Sequence, residues 1–164
     1  MITPTATEIQ QSTGHRRRVP AETIFDKQIG DIFSARVAGN VLNDDVLGSI
    51  EFAVKFAGAK LIMVMGHTKC GAIKGAAAAV ESGHLTQLLK KIDPAVERTA
   101  KHYTGKRDPA DYAYVDAIGV ENVRLVKEQI RERSPELRQL EEAGKIKIVG
   151  ANYDISTGKV QFED

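Results

Sequence analysis

The chain of 164 residues contains a single cysteine, Cys70, so no internal disulfide can staple it. It lacks any apolar run approaching the roughly 20 residues of a helical membrane span, which excludes that class. Neither charge sign dominates: 23 Lys and Arg stand against 22 Asp and Glu, a formal net charge of +1. Bulk electrostatics therefore draws it neither to nucleic acid nor to an anionic membrane. The first residues, Met1-Ile2-Thr3-Pro4-Thr5-Ala6-Thr7-Glu8, have no apolar core of the kind a secretion signal needs. With one lone thiol besides, a reducing cytoplasm is the expected location. No internal repeat and no low-complexity tract is present. What the chain does have, 42% hydrophobic and 27% charged residues, suits one domain with a sizeable core.

Residues 1–18 are polar and close on the basic cluster His15-Arg16-Arg17-Arg18, which predicts a peripheral arm ahead of a domain over residues 19–164. Pro20 suits a first helical position, so a short helix is expected to Lys27, then a strand from Asp31 to Val37. Asn43-Asp44-Asp45 caps a helix whose predicted buried stripe is Val46, Ile50, Ala53 and Ala57, ending at Gly58. Leu61-Ile62-Met63-Val64-Met65 reads as a buried parallel strand. A helix follows it, then a helical stretch from Leu85 to about Tyr103 and a helix marked by Val123, Val126 and Ile130 that Ser134-Pro135 interrupts. Lys145 to Ala151 and Lys159 to Phe162 form a hairpin around Ser156-Thr157-Gly158. The class is α/β: a mainly parallel β-sheet flanked by helices, with a C-terminal antiparallel edge strand.

The segment Gly66-His67-Thr68-Lys69-Cys70-Gly71-Ala72 is the most informative. It places an imidazole and the only thiol three residues apart in a strand-to-helix turn, where ligands of open α/β sheets gather. Both side chains suit zinc, yet about three protein ligands are needed for a catalytic site, so a third must come from elsewhere. A buried structural cysteine beside a hydrogen-bonded histidine accounts for the pair as well. Gly66 and Gly71 also have the spacing of a phosphate loop, but Ala72 and Ile73 stand where Lys and Ser/Thr belong. His84 and His102 lie in polar helical surroundings and read as surface residues.

From Val19 onward the chain resembles the β-class carbonic anhydrases, bacterial members above all. The matching stretches are Val19 to Asp26, Gly30 to Phe33 with Arg36 to Asn40, Ser49 to Ala53, Gly66 to Gly75, Glu121 to Arg124, Ser134-Pro135, and Gly150 to Ile155 with Thr157 to Val160. The resemblance implies the fold just given, zinc as cofactor with His67 and Cys70 as ligands, and reversible hydration of carbon dioxide to bicarbonate. It implies further that Phe33, Ala38 and Phe52 line the apolar pocket for carbon dioxide, that Gly39 and Gly71 let backbone approach it, and that the chain forms a homodimer or higher homo-oligomer. In that family Cys-x-Asp-x-Arg precedes the segment matching Val19-Pro20-Ala21-Glu22, its Cys a zinc ligand and its Asp and Arg a dyad at the site. Counting back from Val19 puts Gly14, Arg16 and Arg18 at the three positions, so the arginine alone matches, with Arg18 as the catalytic residue. An impaired enzyme is therefore expected, with a non-catalytic paralogue or truncated form serving as oligomer subunit or scaffold as the alternative. The apolar strand that precedes the family motif is also expected to be missing, since Ala6 to Thr13 is too polar for the middle of a parallel sheet.

Overall fold

Strands β1 (Ala6–Gln10), β2 (Ile32–Arg36), β3 (Leu61–His67), β4 (Lys147–Tyr153) and β5 (Val160–Glu163) form one sheet in the order β2-β1-β3-β4-β5. The structure, a computed structural model, describes the backbone of residues 6–10 and the whole of residues 20–163. β1 to β4 are parallel and β5 runs antiparallel to β4, as the hairpin and the class predict. β1 corrects one expectation. Polar as it is, it occupies the middle of the sheet, pairing Ala6 to Gln10 with Ile32 to Arg36 on one side and Thr7 to Ile9 with Ile62 to Val64 on the other. The backbone groups of β2 and β3 need partners whatever side chains the neighbouring strand carries, and β-branched Thr7 and Ile9 suit an extended conformation. The remainder of the expected arm, residues 1–5 and 11–18, lies outside the described residues.

Helices α1 (Ala21–Ile24), α2 (Asp44–Lys55), α3 (Gly71–Ala77), α4 (Gly83–Lys90), α5 (Asp93–His102), α6 (Tyr112–Arg133) and α7 (Pro135–Glu142) surround the sheet. The caps are local chemistry. Asn43 Oδ1 accepts from the Val46 amide at 2.8 Å and Asp111 Oδ1 from Ala113 at 2.9 Å. α2 buries Leu47, Ile50, Ala53 and Val54, which keeps Ile50 and Ala53 of the predicted stripe with Val46 half-buried on the same core, and it ends at Lys55 rather than Gly58. Phe52 and Phe56 therefore face outward. The stretch from Leu85 to Tyr103 is two helices, because Pro94 has no amide hydrogen with which to continue α4 through Ile92.

Strand alternation divides the core. Ile62 and Val64, both fully buried, pack on one face of β3 against Ile50 of α2 and Val123 and Ile130 of α6. Met63 and Met65 occupy the other face with Ala151 and Ile24. A Cβ on Gly150 would lie 2.7 Å from Val123 Cγ1, so glycine there lets α6 lie close on the sheet. β5 covers only Gly150 to Tyr153 of β4. Beyond its end a side-chain pair takes over: Glu141 Oε1 accepts from the Ile148 amide and Arg131 Nη2 donates to the Ile148 carbonyl, both at 3.2 Å. Arg131 and Glu141 are joined to each other by two further bonds of 2.7 and 2.8 Å.

Candidate metal centre

β3 delivers His67 as its last residue, and Cys70 is the N-cap of α3. The imidazole is 6% exposed and the thiol 1%. His67 Nδ1 lies 2.8 Å from the Thr68 carbonyl oxygen, which can only accept. Nδ1 therefore carries the hydrogen, and the ring lone pair is on Nε2, one of the two tautomers through which a histidine can serve a metal. Cys70 Sγ accepts from the Ile73 amide at 3.4 Å, a bond that favours negative charge on sulfur.

The connecting turn is held from two sides. Toward β4, the Thr68 amide donates to the Tyr153 carbonyl at 3.0 Å, and the Thr68 hydroxyl accepts from the Ile155 amide at 3.1 Å. Toward α6, Asp116 Oδ1 accepts from the Lys69 amide at 2.6 Å. Burial pushes the Asp116 carboxyl above the ordinary carboxylate range, opposed by that hydrogen bond and by the Lys69 charge. Asp154 is held below the ordinary range by hydrogen bonds from the Ser156 amide and the Thr157 hydroxyl. His67, Asp116 and Asp154 border an open cleft of about 650 Å³ that Arg124, Lys159 and Glu163 also line.

The expected pocket residues divide into two groups. Ala38 and Gly39 form a 3-10 turn after β2, and a Cβ on Gly39 (φ 75°) would stand 3.6 Å from Ala72 of α3 and 2.5 Å from Ile92 Cδ1. Ala38 packs on the same buried cluster as Cys70. Asn122 of α6 fixes this turn, donating to the Gly39 carbonyl at 2.8 Å and to Asn40 Oδ1 at 3.1 Å. Gly71 is the exposed first residue of α3. Phe33 and Phe52 are instead surface residues of β2 and α2, 37% and 56% exposed. Gly14, Arg16 and Arg18 lie outside the described residues. Asp116 and Asn122 went unassigned in the sequence. For Asp116 a signal existed, since it is the only charged residue from Tyr112 to Val120.

A family model described as carbonic anhydrase matches residues 17–160. The carbonic anhydrase of Mycolicibacterium smegmatis is 34% identical over 150 residues, 88% of this chain and 69% of that protein. The chain belongs to the β-class carbonic anhydrase family. Carbonic anhydrase 2 of Mycobacterium tuberculosis is likewise 34% identical, over 90% of this chain and 70% of its own length. The β-carbonic anhydrase CafA of Aspergillus fumigatus superposes with a TM-score of 0.85 at 26% identity, covering 99% of this chain and 76% of that one. Tetrameric β-carbonic anhydrases of Sordaria macrospora share the fold at a TM-score of 0.84 and 24% identity, over 98% of this chain and 80% of theirs. For a β-carbonic anhydrase, the two donors described here fit zinc in type and in tautomer. Among the described residues, no group of three His, Cys, Asp or Glu side chains is placed to hold an ion.

Proposed function

We propose that this chain has the chemistry of its family, zinc-dependent reversible hydration of carbon dioxide to bicarbonate in the cytoplasm, at a level impaired by an incomplete ligand set. The observation that carries this reading is the His67 tautomer, which turns Nε2 into a ligand atom at the same turn that holds Cys70. Zinc, when bound, supplies the acidity that makes water a nucleophile near neutral pH. His67 and Cys70 hold the metal as imidazole and thiolate. Ala38, Gly39 and Gly71 bring backbone to the site, whereas Phe33 and Phe52, exposed on β2 and α2, would supply apolar surface for carbon dioxide only where a second copy of the chain packs against this one. Arg18 takes the place of the family's dyad arginine. With Arg16 where the acid belongs, the family's acceptor that would orient the nucleophile is missing, and with Gly14 where the cysteine belongs a ligand is gone. Losing one of three ligands costs several kcal/mol of the roughly 10 to 16 typical of a bound zinc.

The test is zinc content by non-denaturing mass spectrometry together with stopped-flow carbon dioxide hydration. Changing Gly14→Cys together with Arg16→Asp is expected to raise both zinc occupancy and rate. Equal zinc uptake before and after the change refutes the assignment of these positions. A second reading is a non-catalytic subunit or scaffold of a homo-oligomer. It is favoured by the apolar outward face of α2, where Phe52 and Phe56 are 56% and 74% exposed with ring centroids 5.5 Å apart. A folded, metal-free oligomer without hydration activity supports that reading over the first.

A further inference from the structure

The turn carrying both donors is strained. Lys69 has φ 57°, the left-handed region that a non-glycine residue occupies only against steric strain. The peptide between Thr68 and Lys69 bonds at both ends: its carbonyl accepts from His67 Nδ1 at 2.8 Å and its amide donates to Asp116 Oδ1 at 2.6 Å. A carboxylate, a peptide plane and an imidazole thus form one hydrogen-bonded chain, in which each bond polarises the next. The carboxylate is the fixed end. Asp116 belongs to α6, a helix of 22 residues, and its neighbours Val115 and Ile118 are 1% and 0% exposed. The bond is charge-assisted, about twice the strength of a neutral one, and so suited to hold the peptide against the strain at Lys69.

We propose that Asp116 is a positioning residue of the metal centre: acting through the Thr68–Lys69 peptide, it sets the ring orientation and tautomer of His67. In many metal sites a carboxylate bonds the histidine directly, whereas here a peptide unit is interposed between the two. The inference rests on the zinc role proposed for His67, but its readout requires no metal.

The experiment is nitrogen NMR of the metal-free full chain. Wild-type protein is expected to show His67 protonated at Nδ1 and a through-hydrogen-bond coupling from the Lys69 amide nitrogen to the Asp116 carboxyl carbon. Absence of that coupling overturns the proposal without recourse to any variant. Asp116→Ala is expected to give His67 a mixture of tautomers and to speed exchange of the Lys69 amide at least about tenfold. Asp116→Asn, whose side-chain oxygen still accepts from the amide, is expected to restore the wild-type pattern. Cobalt(II) affinity is expected to fall about tenfold or more in the alanine variant and to recover in the asparagine variant. An alanine variant with the wild-type tautomer and amide exchange, or an asparagine variant as perturbed as alanine, overturns the proposal. Wild-type protein that takes up no zinc while these tautomer results hold refutes the hydration reading and leaves the role of Asp116 standing.

Discussion

Replacing Asn122 tests whether the turn at Ala38–Asn40 is held by hydrogen bonds or by packing. Asn122 is 2% exposed, and its amide donates to the Gly39 carbonyl at 2.8 Å and to Asn40 Oδ1 at 3.1 Å. Asn122→Ala removes the donor and leaves a buried carbonyl without it, at about 1 to 3 kcal/mol, and loses the second bond and some packing besides. The sum is about 3 kcal/mol, which for a chain of this length lowers Tm by roughly 6 to 12 °C. Urea unfolding is the assay, with an unchanged m-value as the check that the unfolded state is the same. Asn122→Leu separates the causes, since it keeps the volume and discards the bonds. It is expected to match the alanine variant within about 1 kcal/mol. An alanine variant losing less than about 1 kcal/mol, or a leucine variant as stable as wild type, refutes the reasoning.

Gly39→Ala meets two obstacles, a φ of 75° and a Cβ 2.5 Å from Ile92 Cδ1, and is expected to destabilise by about 2 kcal/mol in thermal unfolding. Adding Ile92→Val removes that methyl and is expected to recover part of the loss, whereas a purely additive double variant contradicts the contact. Hydrogen bonding to Arg131 holds the Glu141 carboxyl below its ordinary 4.5. A lowered carboxyl pKa stabilises the fold above the unfolded value and loses that contribution as pH falls through the folded one. The stability gap between wild type and Glu141→Gln in urea is therefore expected to be constant near neutral pH and to shrink below about 4.5. A gap that widens on acidification refutes the pairing.

Where periodicity and covalent preference decide, the sequence was readable. The run from Leu61 to Met65, the glycine-bounded turn after it and the Ser134-Pro135 break each carry their structure locally, and β3, α3 and the junction of α6 with α7 stand where they are expected. β1 was not readable, because its place in the sheet depends on unpaired backbone of β2 and β3, and Ala6 to Gln10 has little of the apolar character usual for a central parallel strand. The α2 stripe was read in part: Ile50 and Ala53 are fully buried as expected, while Leu47 and Val54 join them and the helix stops before Ala57. In the candidate site, His67 and Cys70 draw notice in the sequence by donor type and spacing. Asp116 does not, because its partner is a backbone amide 47 residues away, and every residue but proline offers one.

The guanidinium and carboxylate of Arg131 and Glu141, bonded to Ile148 where β5 gives out, act as a counterfeit strand. A row of bare donors and acceptors along a sheet margin is a template on which other chains can stack. With the Ile148 amide and carbonyl already engaged by two charged groups, a foreign strand laid along this margin finds no rung at the place where the molecule's own backbone runs short.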